Sequence, residues 1–140
     1  MKVLCSACLL GKNCKYDGGN NLQKDIEDLS KKYELIDVCP EELGDLSTPR
    51  DPAEIVDGKV LTNKGKDVTK NFYEGAKKVL EIAKEYNIKK AILKQRSPSC
   101  GCGKIYDGTF SKKVIKGNGI TAQMLIDNGI EVQTEEDYLK

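Results

Sequence analysis

The sequence predicts an α/β fold: one domain over residues 1–140, with a mainly parallel sheet and helices on both faces. Three observations carry this expectation. The legible elements run β-α-β-hairpin-α-β-α-β, and strands alternating with helices assemble into parallel sheets. The strand-like runs are short and apolar. The chain has 140 residues, enough to bury about two-thirds of its unfolded surface in one core without disulfides.

Lys2–Ser6 reads as the first strand. Ala7–Asn20 is a loop holding Gly, Asn and Asp. Asn21–Lys32 carries Leu22, Ile26 and Leu29 at helical spacing, with Asn20 or Asn21 as the cap. Tyr33–Cys39 alternates and runs apolar, as a short buried strand does. Cys39–Ala53 holds three prolines and no clear period, so it reads as a long loop. Glu54–Leu61 reads as a hairpin, because Asp57-Gly58 suits a type I′ turn. Asp67–Tyr86 is the strongest helix. Thr69 serves as its cap, and Phe72, Ala76, Val79, Leu80 and Ala83 make one apolar stripe. Asn87 ends it, and Lys90–Leu93 is the next strand. Ser97–Lys116 is a Gly-, Ser- and Cys-rich loop too long to be inert. Gly119–Asn128 is a short helix stopped by Gly129, Ile130–Gln133 a last strand, and Thr134–Lys140 a terminal turn. The whole is Rossmann-like or flavodoxin-like.

Composition restricts the chemistry. Lys and Arg total 23 and Asp and Glu 22, so charge gives no reason for a membrane or nucleic-acid partner, with a tRNA left open. The start, Met1-Lys2-Val3-Leu4-Cys5, is too short to be a signal peptide, and no apolar run approaches a membrane span. A cytoplasmic location is therefore expected. Six cysteines in a reducing cytosol point to metal binding or catalysis before a disulfide framework. Histidine is absent, which removes Ser-His and Cys-His catalysis and every His-ligated metal site. Acid–base work falls to Glu, Asp, Lys, Tyr, Ser or Cys.

Three cysteines sit where separate strands are expected to end. Cys8 follows the first strand, Cys39 closes the second, and Cys100 lies in Ser97-Pro98-Ser99-Cys100-Gly101, after Lys90–Leu93. Open parallel sheets bind ligands outside the carboxyl ends of their strands. Three thiolates meeting there suggest a soft-metal site with one position left open. Glu41 stands two residues beyond Cys39, placed to act as an acid or base. Cys5 lies within a strand and reads as a buried packing residue. Cys14 reads as packing beneath its loop, with a fourth ligand as the alternative. Cys102 falls too near Cys100 in sequence to be an easy fourth ligand. Arg50, Lys94 and Arg96, near strand ends and loops, would together suit an anion such as phosphate.

Six segments share a resemblance. They are Ser6–Gly11, Asn13–Gly18, Val38–Glu41, Thr48–Arg50, Ser97–Gly101 and Tyr106–Phe110. In order, over nearly the whole chain, they resemble the small thiouracil desulfidases. That resemblance implies an oxygen-sensitive 4Fe-4S cluster held by three cysteines with the fourth iron open. It implies removal of sulfur from a thiolated uracil (base, nucleoside or nucleotide), giving the oxo form and hydrogen sulfide in a hydrolytic, non-redox reaction. By motif match the ligands are Cys8, Cys39 and Cys100. Glu41 and Ser97 are the catalytic candidates, with Ser99 as competitor. Arg50, Ser99 and Lys94 are candidate substrate contacts. Cys5 and Cys102 depart from the usual pattern. Two rival readings stay open: a zinc module using Cys5, Cys8, Cys100 and Cys102, and a sulfur carrier running the same cluster in reverse.

Overall fold

The protein is described by a computed structural model covering residues 1–138. Four strands form the main sheet: β1 (Lys2–Ser6), β2 (Glu34–Val38), β5 (Lys90–Leu93) and β8 (Glu131–Thr134). Their order is β2-β1-β5-β8, and every pairing is parallel. Two antiparallel hairpins stand apart from it: β3 (Ala53–Val56) with β4 (Lys59–Thr62), and β6 (Lys104–Tyr106) with β7 (Val114–Lys116). The helices are α1 (Lys24–Glu27), α2 (Pro40–Leu43), α3 (Thr69–Glu85) and α4 (Ile120–Asp127).

Alternation along the strands divides the core. Leu4, Ala91 and Leu93 pack with Val79 and Ala83 of α3 and with Ala122 and Leu125 of α4. Val3, Cys5 and Ile92 point the other way, onto Leu9 and Ile26. The sheet is therefore covered on both faces, as expected for a parallel one. Each Val, Leu or Phe buried this fully contributes about 1.5–3 kcal/mol. From β1 the chain goes to β2 on one side, then to β5 and β8 on the other. The order reverses between β1 and β5, where such sheets open a ligand crevice.

The α3 stripe forms as expected: Phe72, Ala76, Val79 and Ala83 are buried. Its cap does not. Thr69 Oγ1 accepts the N–H of Val60 at 2.8 Å, while Asp67 Oδ1 accepts the Thr69 N–H at 2.9 Å. The first helix is shorter than its apolar spacing suggests. Only Lys24–Glu27 is α-helical, and Asp28–Lys31 tightens to 3-10. Asn20 Oδ1 accepts the Leu22 N–H at 3.0 Å, the local bond by which Asn favours turns over helix. The Asp57-Gly58 turn is as expected, with φ of 50° and 78°, both positive as type I′ requires. Two stretches expected to be loop contain structure. Pro40 sits at the first helical position of α2, where its missing N–H costs nothing. The long segment after Ser97 contains β6 and β7, which are only three residues each. The terminal turn runs Glu135–Asp137 as 3-10 helix, and positions 139–140 lie outside the described residues.

Helix α2 lies against α3 with backbone touching backbone. A Cβ on Gly75 would sit 1.9 Å from the Pro40 carbonyl oxygen, and one on Gly44 2.0 Å from that of Asn71. Asn71 Nδ2 donates to the Gly44 carbonyl at 2.8 Å. We expect Gly75→Ala to lose about 1–3 kcal/mol by overpacking, seen as a fall of several degrees in Tm. An unchanged melting curve would refute this account of the contact.

Candidate active site

The carboxyl ends of β2, β1 and β5 open onto one cavity of about 1080 Å³. Cys8, Cys14, Cys39, Glu41, Arg50, Lys94, Ser97, Ser99 and Cys100 all line it. The structure thus brings together every residue named for the desulfidase reading. It does not bring Cys5 or Cys102. Cys5 is fully buried in the core, and burial pushes its thiol up to about 12. Cys102 points its Sγ at the Val132 carbonyl, 3.8 Å away, and burial raises it too.

The lining thiols differ in character. Cys8 is lowered to about 7, first by a hydrogen bond from Cys14, then by one from Asn21 Nδ2 at 3.4 Å and by the Lys94 charge, against the pull of burial. Cys39 is lowered chiefly by Cys14, with help from the Glu42 backbone and the Arg50 charge. Cys14 lies beside both and is raised, its single S–H being available to only one of them at a time; the Cys39 Sγ in turn lies 3.9 Å from the Cys14 carbonyl. The position of Cys14 between two other thiols is more than packing beneath a loop. Cys100 is raised to about 12 by burial, opposed by a hydrogen bond to the Ser6 hydroxyl. Among the described residues no three Cys, Asp or Glu side chains converge tightly enough to grip a single metal ion. A four-iron cube is a wider body than a single ion and is held by thiolates, so three thiols lining one cavity of about 1080 Å³ suit it in donor type.

The carboxylate of Glu41 is held on one side. Arg50 Nε–H donates to its Oε2 at 2.8 Å, and the second arm of the guanidinium reaches the same oxygen. The remaining Arg50 N–H groups donate to the Cys14 carbonyl at 2.9 Å, the Ser47 carbonyl at 3.2 Å and Thr48 Oγ1 at 2.9 Å. All five guanidinium donors are thereby engaged. Arg50 positions Glu41 and ties the Cys14 loop to α2, and it keeps no N–H for a phosphate. Oε1 of Glu41 has no bonding partner among the described residues.

The Cys100 loop is closed from behind by Gln95, which the sequence reading missed. Its Oε1 accepts the Cys102 N–H at 2.8 Å and its Nε2 donates to the Cys102 carbonyl at 2.9 Å. At the turn itself, Ser97 Oγ accepts the N–H groups of Ser99 and Cys100, both at 3.1 Å, leaving its own O–H to donate. Ser99, its competitor, is 1% exposed and pairs its hydroxyl with Thr121 Oγ1 at 2.7 Å. Lys94 Nζ rests 2.8 Å from buried Glu135, and Arg96 pairs with Glu136 at 2.9 Å. Ser6 Oγ accepts the Lys94 N–H at 2.9 Å, tying the ends of β1 and β5 beneath the cysteines. Gln95 and Glu135 gave no signal in the sequence, and Ser6 only as the first residue of a motif, because a buried polar residue's task is recognised only by its partners.

The chain has counterparts among known proteins. The uncharacterised protein YbbK of Bacillus subtilis (strain 168) is 44% identical over 145 residues, covering 96% of each chain. The solved structure of the 4Fe-4S-dependent thiouracil desulfidase TudS matches with a TM-score of 0.91 and 39% identity, over 97% of this chain and 91% of that one. A family profile described as 2-thiouracil desulfurase matches residues 3–137, a span that includes every residue placed around the cavity above. The chain belongs to the 2-thiouracil desulfurase family.

Proposed function

We propose that this chain is a desulfidase that exchanges the sulfur of a thiolated uracil for oxygen and releases it as hydrogen sulfide. The observation that supports this most directly is the meeting of Cys8, Cys39 and Cys100, from three adjacent strand ends, with Glu41 in one cavity. Those three cysteines would hold a 4Fe-4S cluster, with one iron free of protein ligands. When bound, the cluster supplies a soft Lewis acid suited to a thiocarbonyl sulfur. Ligation needs thiolates. Cys8 and Cys39 are already biased toward that form, and the Ser6 hydroxyl stabilises it at Cys100.

Glu41 acts as general base. With Oε2 fixed by Arg50, Oε1 accepts a proton from the water that attacks the carbon bearing sulfur. The Ser97 O–H holds the ring or relays a proton. Thiocarbonyl and water become carbonyl and hydrogen sulfide, so no electron is consumed and no redox partner is needed. We place the protein in a reducing cytoplasm, where its thiols stay reduced. No helix among the described residues is long and apolar enough to cross a membrane. Anaerobic reconstitution with iron and sulfide should give a brown protein that bleaches in air. It should yield uracil and sulfide from thiouracil with no acceptor protein. A colourless zinc protein, or desulfidation that requires an acceptor, would overturn the proposal.

We expect a thiolated uridine nucleotide to be processed better than the free base. Of the cations first considered, Arg50, Lys94 and Arg96 are paired as described. Lys12 meets Glu42 and Lys15 meets Asp17, each at a loose 3.8 Å. Lys66 and Lys112 also line the cavity and form no ion pair among the described residues. A phosphate reaching Lys15, Lys66 or Lys112 would gain roughly tenfold or more in kcat/KM, and the gain would shrink with salt. Equal kcat/KM for thiouracil, thiouridine and thiouridine monophosphate at all salt concentrations would remove the phosphate site.

A further inference from the structure

The turn from β6 into β7 is built at a cost that the core does not explain. Phe110 has φ of 58° and Lys112 of 64°. A bulky residue in the left-handed region is strained, and such strain persists only where the surroundings enforce it. Asp107 Oδ1 holds the turn from within, accepting the Thr109 N–H at 2.9 Å, and the group that holds it from outside is Glu54 on β3. It is 8% exposed and forms no ion pair among the described residues. Its Oε1 alone accepts the Gly108 N–H at 2.9 Å and the Phe110 N–H at 3.2 Å. A buried carboxylate is costly unless its hydrogen bonds are made, and this one makes them only to the turn.

Tyr106, the last residue of β6, and Phe110, in the strained turn, both line the cysteine cavity. Neither ring is part of a core cluster or packs against one, although both are half-buried. Two aromatic faces are thus withheld from the core and held at the cavity, by a carboxylate that serves no cation. We propose that Tyr106 and Phe110 form a stacking platform for a planar heterocycle, and that Glu54 is the positioning residue that sets it by clamping the turn between them. The identity of that ring, a thiolated uracil or its oxo product, rests on the desulfidase reading above. The platform itself rests on the turn.

Stacking on an aromatic side chain is tolerant of which base is bound and sensitive to loss of the ring. The test is calorimetric titration of uracil into anaerobically reconstituted protein, with iron content, Tm and thiouracil kinetics measured on the same samples. Phe110→Ala and Phe110→Leu should bind uracil about tenfold or more weakly, with iron content unchanged, KM raised and kcat nearly kept. Phe110→Leu keeps the apolar bulk and guards against a folding artefact. Phe110→Tyr should bind as wild type. Glu54→Ala should match Phe110→Ala, while Glu54→Gln, which retains the one accepting oxygen, should restore binding. Uracil binding within twofold of wild type in both Phe110→Leu and Glu54→Ala would overturn the proposal, as would a reconstituted wild type that binds no uracil. A wild type that binds uracil through Phe110 yet releases no sulfide from thiouracil would support the platform and sink the desulfidase reading instead.

Discussion

Reconstituted anaerobically with iron and sulfide, Cys8→Ala, Cys39→Ala and Cys100→Ala should each fail to hold a stable cluster and should lose all desulfidase activity. Cys5→Ala and Cys102→Ala should keep most of their iron. The reason is placement. The first three thiols stand around one cavity at neighbouring strand ends, whereas Cys5 is sealed in the core and Cys102 turns to the Val132 carbonyl. Cys14 is the sharper case. It lines the cavity and touches both Cys8 and Cys39, so it could compete with Cys100 for the third corner. It is buried beneath its loop, at 3% exposure, and its carbonyl is taken by Arg50 and faces Cys39. We therefore expect Cys14→Ala to retain iron. Iron-to-protein ratios across the six variants decide the assignment, and iron retained in Cys39→Ala would sink it.

Glu41→Gln should keep its iron and lose on the order of 10²-fold or more in rate, the scale for a positioned base. Amide and carboxylate are nearly the same shape, and α2 is fixed by its backbone contact with α3 rather than by this side chain. The fold should survive. The amide still accepts from Arg50 through its oxygen but takes no proton from water. Glu42→Gln is the control. That carboxylate accepts from Thr48 Oγ1 at 2.5 Å and does not line the cavity. Wild-type turnover in Glu41→Gln would remove the general-base role.

The parallel sheet and the gathering of Cys8, Cys39 and Cys100 were legible because each depends on strand order alone. Period and turn chemistry mark where strands stop, and the architecture then brings those stops together. Arg50 was visible as a charge, but its task was not. Its five bonds reach Cys14, Glu41, Ser47 and Thr48, and no local pattern announces a set scattered over that much chain. Helix α2 was hidden because it is one turn long between prolines, below the length at which a period shows. The β6–β7 hairpin was hidden for a similar reason: β7 is exposed throughout and carries no alternation.

The strand order also has a consequence for biosynthesis. β1 and β5 pair directly, Leu4 with Ala91 and Cys5 with Ile92, although most of the chain separates them. Contacts this remote form late. Cys100 lies beyond β5, so it reaches Cys8 and Cys39 only after the central pairing has closed. On the proposed ligand set, the cluster site is assembled by the same long-range pairing that closes the sheet. The two faces of the sheet are packed mainly by apolar side chains, with Cys100 and Cys8 at the edge of that packing. We expect a core of this size to fold before its cluster is inserted, unlike a zinc finger, which is unfolded until its metal arrives. If the proposed cluster is right, a cell short of iron would then hold a folded, thiol-lined apoprotein able to receive it.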